Sequence, residues 1–334
     1  YCIGHSAVTT RIGVSLGDPA GIGPEVVWKA LAGRQPDPRI TWSIYGPAPF
    51  AQSVALSLDP NSEWFDGWKF RLSNGTKGEL ISVRPDLSIT SDLIGRSSAL
   101  TGTVLYESAR LAIKDALEGK IAAVAAAPHT ELSVNQAGIK FSGYPSLLKK
   151  TVGLSSEVIL LLIGGHLKVA HVTLHQSLTS VISQLTQEQI IFAVRTVDKY
   201  FGDGGYPGAR FALCGLNPHA GEDGLFGSED ETITKPAAQH LVDMGINLDG
   251  PISADSLFHR SDYDCIVALY HDQGHIPVKT IAPRSCIAIS VGAPIIFGTV
   301  AHGSALDIAG NNQADPSAMS LLFDHCVKFV KQST

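Results

Sequence analysis

Short apolar runs alternate with longer amphipathic segments from one end of this 334-residue chain to the other. Apolar residues recur at helical spacing in residues 100–117, 190–197, 236–244 and 318–330, which predicts a helix in each segment. The apolar runs that predict strands are 12–16, 41–45, 121–126, 158–163, 169–174, 211–214, 265–269 and 287–291. Strands that alternate with helices in this way are typical of an α/β protein.

The composition narrows the class of protein. With 44% hydrophobic and 17% charged residues, a chain of this length is expected to bury a large core and to divide into about two domains. The net charge of −6 and the lack of a basic run argue against nucleic acid as a partner. The longest strongly apolar run, residues 158–163, is far shorter than the roughly 20 residues of a membrane-spanning helix. The sequence therefore predicts neither a nucleic-acid nor a membrane partner.

The five cysteines are scattered singly, and several lie inside apolar runs. This pattern favours small buried side chains in a reducing compartment over a disulfide framework. Because the N-terminus also lacks a signal-peptide pattern, we expect a cytoplasmic protein.

A glycine-rich turn, GDPAGIGPE at residues 17–25, follows the first predicted strand and opens a predicted helix. Pro24 suits a first helical turn, and Glu25 is favourable beside the positive end of the helix dipole. By itself this segment is an ordinary strand-to-helix turn. No G-x-G-x-x-G sequence follows a strand, which argues against the dinucleotide site of a Rossmann fold.

A second loop, AHGSALDIAG at residues 301–310, precedes the last predicted helix. Gly303 and Gly310 can adopt backbone angles that are closed to other residues, and small residues at 304 and 305 let the main chain approach a flat ligand. One interpretation is a nucleotide-binding loop. The other is a helix-flanking turn in which Asp307 acts only as a cap.

Both segments resemble those of the β-decarboxylating dehydrogenases, in which the second loop usually reads HGSAPDIAG; here Leu306 replaces the proline. The resemblance implies a two-domain α/β fold like that of isocitrate and isopropylmalate dehydrogenases, not a Rossmann fold, and a nicotinamide cofactor. An acid at Asp307 with no arginine nearby favours NAD over NADP. The implied cofactor-binding residues are His302, Gly303, Ser304, Ala305, Asp307, Gly310 and Asn312.

The positions of these two segments predict how the chain is divided. The cofactor loop lies near the C-terminus, whereas the related turn opens the chain. We therefore predict a cofactor-binding domain built from residues 1–130 and 290–334. The inserted residues 131–289 would form a domain for metal binding, substrate binding and dimerisation.

Three histidines, His175, His219 and His271, stand at predicted strand ends or in glycine-rich turns. On spacing alone they are either hydrogen-bonded structural residues or metal ligands. The segments CGLNPHAGEDG and YHDQG resemble the metal-binding segments of the 4-hydroxythreonine-4-phosphate dehydrogenase family, and the resemblance runs from residue 17 to residue 310. It implies that the three histidines bind one divalent cation at a homodimer interface, with the third supplied by the neighbouring subunit.

Zinc is the expected cation, and cobalt, nickel, manganese and magnesium remain open because three imidazoles accept several metals. A bound cation makes a substrate hydroxyl easier to deprotonate, and an alkoxide is the better hydride donor. The residues that the family resemblance places near the reaction are Asp255, Asp272 and Lys279. Asp255 is otherwise a helix cap and Asp272 a turn acid, and the sequence does not assign the general base.

The chain departs from the family at the groups that bind phosphate. Tyr144-Pro145 replaces the expected histidine-threonine pair, Ala288 replaces an asparagine and Phe297 replaces an arginine. Of the family's phosphate-binding groups, only a lysine remains, as Lys279. The loss of arginine removes a bidentate phosphate donor. A family lysine is also replaced by Thr130.

These departures change the expected substrate. We expect Tyr144, His275 and Phe297 to line a pocket for a flat ring, and Lys279 and Arg284 to bind carboxylates. The alternative is that Tyr144 and Phe297 are core aromatics and that other residues bind phosphate.

One branch of the family oxidises the cis-dihydrodiol of terephthalate and releases carbon dioxide to give protocatechuate. The resemblance and the lost phosphate groups predict that reaction, dependent on NAD and a divalent metal, on a small carboxylate substrate. The alternatives are dehydrogenation of 4-hydroxythreonine-4-phosphate or a four-carbon phosphosugar acid, metal-dependent hydrolysis, and a non-catalytic binding protein.

Overall fold

The computed structural model describes residues 9–155 and 157–332. This part of the chain folds into two compact units. The first contains residues 9–155 and 293–331, and the second contains residues 157–292 with Gln332. The first unit therefore combines the two ends of the described chain, whereas the second is formed by its middle.

The strands and helices follow one another in the α/β alternation that the sequence predicts. The strands are β1 (Thr10–Ser15), β2 (Ile40–Gly46), β3 (Glu63–Phe65), β4 (Lys69–Arg71), β5 (Lys77–Ser82), β6 (Ala123–Ala126), β7 (Ile159–Gly164), β8 (Leu167–His171), β9 (Phe211–Cys214), β10 (Leu248–Ile252), β11 (Cys265–Ala268), β12 (Cys286–Val291) and β13 (Ile296–Val300). The helices are α1 (Gly23–Gly33), α2 (Ala48–Leu58), α3 (Ala99–Leu117), α4 (Glu131–Gln136), α5 (Tyr144–Val152), α6 (Leu178–Gln184), α7 (Gln187–Asp203), α8 (Lys235–Asp243), α9 (His271–Ile281) and α10 (Ser317–Gln332). Within the described residues, none of the helices is both long and apolar enough to cross a membrane.

In the first unit the strands lie in the order β13-β6-β1-β2-β5-β4-β3. The strands from β13 to β5 pair in parallel, and β4 and β3 continue the sheet antiparallel. The central strands β1, β2 and β6 are almost continuously buried, as expected for a sheet covered on both faces. Because neighbouring parallel strands end at the same edge, the segments after β13, β6 and β1 come together there.

In the second unit the order is β10-β9-β11-β8-β7-β12. The strands β10, β9, β11 and β8 pair in parallel, and β7 and β12 continue the sheet antiparallel. His175 follows β8, His219 follows β9 and His271 follows β11. The three predicted ligands therefore leave the same edge of three adjacent strands.

All the strands and helices predicted from periodicity are present, with shifts of a few residues at their ends. The first crossing between the units lies between residues 155 and 157, not near residue 130, because α4 and α5 pack against α3. The second lies at residues 292–293 instead of near residue 290.

Candidate active site

The predicted cofactor loop is held against the first glycine-rich turn within the first unit. Ser304 is buried, its carbonyl accepts a hydrogen bond from the backbone N–H of Ile22 at 2.9 Å, and its hydroxyl accepts one from Thr130 Oγ1 at 2.8 Å. A Cβ at Gly21 would lie only 2.6 Å from the Ser304 oxygen. The two segments that carried the sequence resemblance are therefore in direct contact.

A buried acid on α1 holds the chain just beyond the loop. Glu25 accepts a hydrogen bond from the backbone N–H of Ala314 at 2.8 Å, and it forms an ion pair with Lys29 at 2.7 Å. Lys29 also donates to the carbonyl oxygens of Asn312 and Ala314 at 3.1 and 3.0 Å. Glu25 thus links the two ends of the chain, a role that its place in the first helical turn did not reveal.

A cavity of about 300 Å³ in the first unit lies between α1, α2 and the end of the loop. Its lining includes Gly21, Glu25, Phe50, Ile94, Gly310 and Asn312. Gly310 and Asn312 have positive φ values of 77° and 58°.

The other predicted cofactor residues lie on the same loop. His302 and Ala305 are half-buried, and Gly303 and Asp307 are exposed. The loop as a whole can therefore present main-chain groups and one free carboxylate to a nucleotide.

Tyr144 and Phe297 are both completely buried in the first unit, with ring centroids 5.5 Å apart. The Tyr144 hydroxyl donates to the carbonyl oxygen of Ala127 at 2.8 Å. His129 packs at 4.5 Å from the Tyr144 ring, and burial lowers the pKa of His129 to about 4. The sequence led us to expect these two aromatic rings in the lining of a substrate pocket. The structure places them in the core instead.

Two of the three predicted metal ligands lie close together in the second unit. The ring centroids of His175 and His271 are 5.6 Å apart. Two imidazoles bound tetrahedrally to one zinc ion have centroids roughly 5 Å apart, so this pair fits a shared cation.

The third predicted ligand, His219, packs its ring 5.9 Å from that of Phe226. Over residues 9–155 and 157–332, no group of three or more histidine, cysteine, aspartate or glutamate side chains is arranged to bind an ion. A complete triad therefore stays a prediction, as does its completion by a second subunit.

His271 contacts the carboxylate of the next residue, Asp272. Its Nδ1 lies 2.6 Å from Oδ1 of Asp272. Because a carboxylate only accepts hydrogen bonds, this contact places the proton on Nδ1 and leaves the Nε2 lone pair free. The arrangement favours the orienting role for Asp272 among those considered from the sequence.

The loop that carries His219 has a strained backbone held by a buried acid. Residues 219–223 all have positive φ, with 53° at His219. Such angles cost non-glycine residues about 1 kcal/mol each and persist where other contacts enforce them. Here the buried carboxylate of Asp230 accepts the backbone N–H groups of Leu216 and Asn217 at 2.8 and 2.9 Å. Sequence reasoning missed Asp230, because it lies outside the motif.

Gln273 ties the ends of two strands that precede predicted ligands. Its Oε1 accepts the backbone N–H of Leu269 at 2.7 Å, and its Nε2 donates to the carbonyl of Gly215 at 2.8 Å. The side chain is buried. It therefore couples the segment after β11 to the segment after β9.

Two further histidines adjoin this group. His275 stacks on His271 with centroids 3.8 Å apart and ring planes at 10°, and its Nδ1 lies 3.0 Å from Nε2 of buried His171. Burial, with smaller contributions from neighbouring histidines, lowers the pKa of His171 to about 3 and that of His275 to about 4. Both rings are therefore neutral at physiological pH. His171 went unnoticed in the sequence because it ends an apolar strand.

The remaining predicted site residues are exposed in the second unit. Asp255 accepts a hydrogen bond from the Ser253 hydroxyl at 2.6 Å. Lys279 lies in the last turn of α9, one turn beyond His275, and Arg284 follows that helix. These side chains can meet a ligand that arrives from solvent.

Comparison with known proteins agrees with this arrangement. The sequence profile of the family described as pyridoxal phosphate biosynthetic protein PdxA matches residues 57–323. A 1,2-dihydroxy-3,5-cyclohexadiene-1,4-dicarboxylate dehydrogenase from Comamonas sp. is 37% identical over 313 residues, which cover 93% of this chain and 95% of that protein.

Two solved structures are similar over nearly the whole chain. The 4-hydroxythreonine-4-phosphate dehydrogenase of Klebsiella pneumoniae has a TM-score of 0.80 and 32% identity, covering 96% of this chain and 99% of that one. The terephthalate 1,2-cis-dihydrodiol dehydrogenase of Burkholderia xenovorans LB400 has a TM-score of 0.68 and 35% identity, with 96% and 98% covered. The predicted family and α/β fold are confirmed, and the chain belongs to the PdxA family of dehydrogenases, which makes it an oxidoreductase.

Proposed function

We propose that this protein catalyses the NAD-dependent and divalent-metal-dependent oxidation and decarboxylation of a non-phosphorylated cis-dihydrodiol carboxylate. The compound named for the Comamonas relative, 1,2-dihydroxy-3,5-cyclohexadiene-1,4-dicarboxylate, is the proposed substrate, and protocatechuate and carbon dioxide are the products. The observation that carries the proposal is the replacement, by Phe297, of the arginine expected in phosphate-using relatives, which leaves no donor for a phosphate from that side chain.

A phosphate dianion needs several hydrogen-bond donors, and arginine supplies the strongest bidentate contact. Phe297 has no donor, and the hydroxyl of Tyr144 already donates to Ala127 within the core. Two of the expected phosphate contacts are therefore lost, whereas the exposed cations Lys279 and Arg284 remain available for single carboxylates.

In the proposed reaction NAD, when bound, would accept the hydride released as the carbinol C–H bond breaks, and the hydroxyl proton would go to a base. The product is a ketone whose neighbouring carbon carries a carboxylate, so it is a β-keto acid. The bond between that carbon and the carboxylate then breaks, and carbon dioxide leaves. The electron pair enters the ring as an enolate, and protonation of its oxygen completes the aromatic catechol.

A divalent cation, when bound, polarises the substrate hydroxyl and makes its proton easier to remove. His175, His219 and His271 would hold the cation, with one histidine from the neighbouring subunit of a homodimer. Asp272 orients His271, which leaves Asp255 and Lys279 as the proposed proton-transfer groups. The loop of residues 301–310 would bind NAD, with Asp307 free to accept a ribose hydroxyl.

A second candidate is dehydrogenation of 4-hydroxythreonine-4-phosphate or a four-carbon phosphosugar acid. The high structural similarity to the Klebsiella enzyme and the presence of Lys279 favour it. Hydrolysis is disfavoured because these relatives are dehydrogenases.

The test is an assay of purified protein with NAD and zinc or manganese, in which NADH absorbance and released carbon dioxide are followed together. We expect equal amounts of NADH and carbon dioxide from the dihydrodiol, and no turnover of the phosphorylated acids. Turnover of a phosphorylated acid without turnover of the dihydrodiol would overturn the proposal. Omission of metal should abolish the reaction and is the control for metal dependence.

A further inference from the structure

We propose that one face of the sheet in the first unit binds a small aromatic carboxylate that carries a hydroxyl group opposite its carboxylate. This face belongs to strands β1, β2, β5, β4 and β3 and surrounds a cavity of about 230 Å³. We call it the cationic face, because four of the side chains that line the cavity are cationic and one is acidic: Arg11, Lys69, Arg71, Lys77 and Glu79. The chain as a whole carries the opposite net charge, −6.

The cationic face lies at the opposite end of the strands from the predicted cofactor loop. Arg11, Thr41 and Lys77 lie at the starts of the parallel strands β1, β2 and β5. The loop of residues 301–310 contacts the turn of residues 17–25, which follows the far end of β1. As extended strand, the chain from Arg11 to that turn spans roughly 20 Å. A small ligand on the cationic face therefore does not reach the cofactor loop.

The strand register arranges the side chains of the cationic face in two rows. One row contains Lys69 on β4 and, directly opposite, Glu79 on β5, with Phe65 of β3 beyond Lys69. The other row contains Arg71 on β4 directly opposite Lys77 on β5. Residues two apart along a strand share a face, so the two rows lie roughly 6.6 Å apart.

Arg71 and Lys77 form a cross-strand pair of like charges, and such pairs destabilise a sheet. Glu63 forms an ion pair with Arg71 at 3.0 Å, but both side chains are about half exposed, so this ion pair is weak. Lys77 has no ion-pair partner in residues 9–155 and 157–332. A carboxylate bound between Arg71 and Lys77 would relieve their repulsion.

Protection of the sheet edge does not explain these cations. Lysines commonly prevent an exposed edge strand from pairing with another chain. The edge strand here is β3, whereas the four cations lie on β1, β4 and β5, and each of these strands is paired on both sides. A bound anion gives the cations a role that edge protection does not.

Phe65 supplies an apolar wall beside the cations. It is 51% exposed, and its ring centroid lies 5.9 Å from the guanidinium carbon of Arg71. A flat ring can pack against Phe65 while its carboxylate contacts Arg71 and Lys77. Inorganic phosphate lacks a ring and makes only the second kind of contact. The cationic face therefore fits an aromatic carboxylate better than a simple anion.

Glu79 selects the group at the other end of the ligand. Its Oε1 pairs with Arg11 and accepts a hydrogen bond from the Ser43 hydroxyl at 3.2 Å. Its Oε2 has no hydrogen-bond partner among the residues that the structure describes. A carboxylate only accepts hydrogen bonds, so Glu79 favours a hydroxyl donor and repels a second carboxylate.

These contacts together describe a hydroxybenzoate. The spacing of the two rows is comparable with the length of a benzene ring that carries a substituent at each end. Protocatechuate, the product of the proposed reaction, belongs to the same class of compound, but none of these contacts depends on that reaction.

The first test measures binding of 4-hydroxybenzoate to the purified protein by calorimetry in the absence of NAD. We expect a dissociation constant of roughly 0.1–1 mM. Lys77→Glu should weaken binding at least about tenfold, because it removes one charge-assisted contact and adds a repulsive charge. The matched control is Lys140→Glu, which makes the same change of charge at an exposed lysine between α4 and α5. Equal affinity of the wild type and Lys77→Glu, or no binding at millimolar ligand, would overturn the proposal.

The second test compares ligands. Terephthalate places a second carboxylate near Glu79 and should bind about fivefold more weakly than 4-hydroxybenzoate. The wild type should also prefer 4-hydroxybenzoate about fivefold over trans-4-hydroxycyclohexanecarboxylate, which has no flat ring, and Phe65→Leu should lose this preference. If terephthalate or inorganic phosphate binds more tightly than 4-hydroxybenzoate, the assigned class of ligand is wrong.

The third test measures thermal stability without ligand. Lys77→Glu replaces the repulsion from Arg71 with attraction, so we expect its melting temperature to exceed that of Lys140→Glu by up to about 2 °C, even though it binds the ligand more weakly. A melting temperature below that of Lys140→Glu would refute the like-charge pair on which the site depends.

Discussion

The carboxylate of Asp272 acts on the chemistry of the candidate site through one hydrogen bond to His271 Nδ1. That bond fixes the tautomer and the orientation of the ring, and partners of this kind affect metal affinity nearly as much as the ligands do. The side chains of Gln273 and Asp230 form hydrogen bonds with backbone groups of the segments that carry the predicted ligands. At the scale of single residues, the candidate site thus depends on side chains that position the predicted ligands through hydrogen bonds.

Replacing Asp272 with asparagine tests this role. An amide is a weaker acceptor than a carboxylate and can turn its N–H₂ group toward the ring, so we expect zinc affinity to fall roughly 10- to 100-fold. Competition with a coloured chelator measures the affinity. Asp243→Asn is the control, because Asp243 is an exposed acid at the end of α8. Unchanged zinc affinity in Asp272→Asn would remove the orienting role.

At the scale of elements, α9 shows why some of the fold escaped the sequence pattern. The helix contains Gly274 and Pro277, and both residues weaken the helical signal. The short strands β3 and β4 were missed for another reason, since most of their residues are partly exposed and their apolar content is low. The predicted strands are those buried within a sheet, where continuous apolar runs are required.

The close packing of α9 on β8 predicts a large effect of one methyl group. Gly274→Ala places a Cβ on His171, so we expect the free energy of unfolding to fall by about 1–3 kcal/mol. Denaturant melts followed by circular dichroism measure the change. Gly202→Ala is the matched control in α7, where an added Cβ meets nothing within 4 Å, and it should stabilise the protein by up to about 1 kcal/mol. Equal stability of the two variants would show that α9 does not need glycine at position 274 to pack closely on β8.

At the scale of the whole molecule, the cofactor features and the histidine group belong to different units of the chain. The first unit holds the loop of residues 301–310, and the second holds His175, His219 and His271. Among the three predicted ligands, His175 and His271 form a close pair, whereas His219 packs beside Phe226. A homodimer in which the neighbouring subunit supplies one of the histidines stays a prediction.

Mixing two inactive variants tests whether the metal site is shared. His219→Ala and His271→Ala should each fold as the wild type does and bind no zinc, because each site lacks one ligand. If His219 or His271 comes from the neighbouring subunit, a mixed dimer contains one intact site, and random exchange should restore zinc to roughly one quarter of the sites. Elemental analysis after mixing, with each variant alone as the control, measures the outcome. No recovery of zinc in proven mixed dimers would place all the ligands within one chain.

The sequence by itself determined the α/β class, most of the buried strands, the family and the two glycine-rich segments at residues 17–25 and 301–310. Apolar runs and local motifs report such features because each depends on residues that are neighbours in the chain. It also singled out the three histidines, since each lies in a segment that follows a strand.

Only the tertiary structure decided which side chains meet. Tyr144 and Phe297 are equally aromatic in a core or in a pocket, and their complete burial comes with the packing of α5, which carries Tyr144, beside β13, which carries Phe297. His171 and His275 are 104 residues apart, so their hydrogen bond depends on the packing of α9 against β8. Contacts of this kind are set by strand order and helix placement, and a linear pattern of residue types does not encode either one.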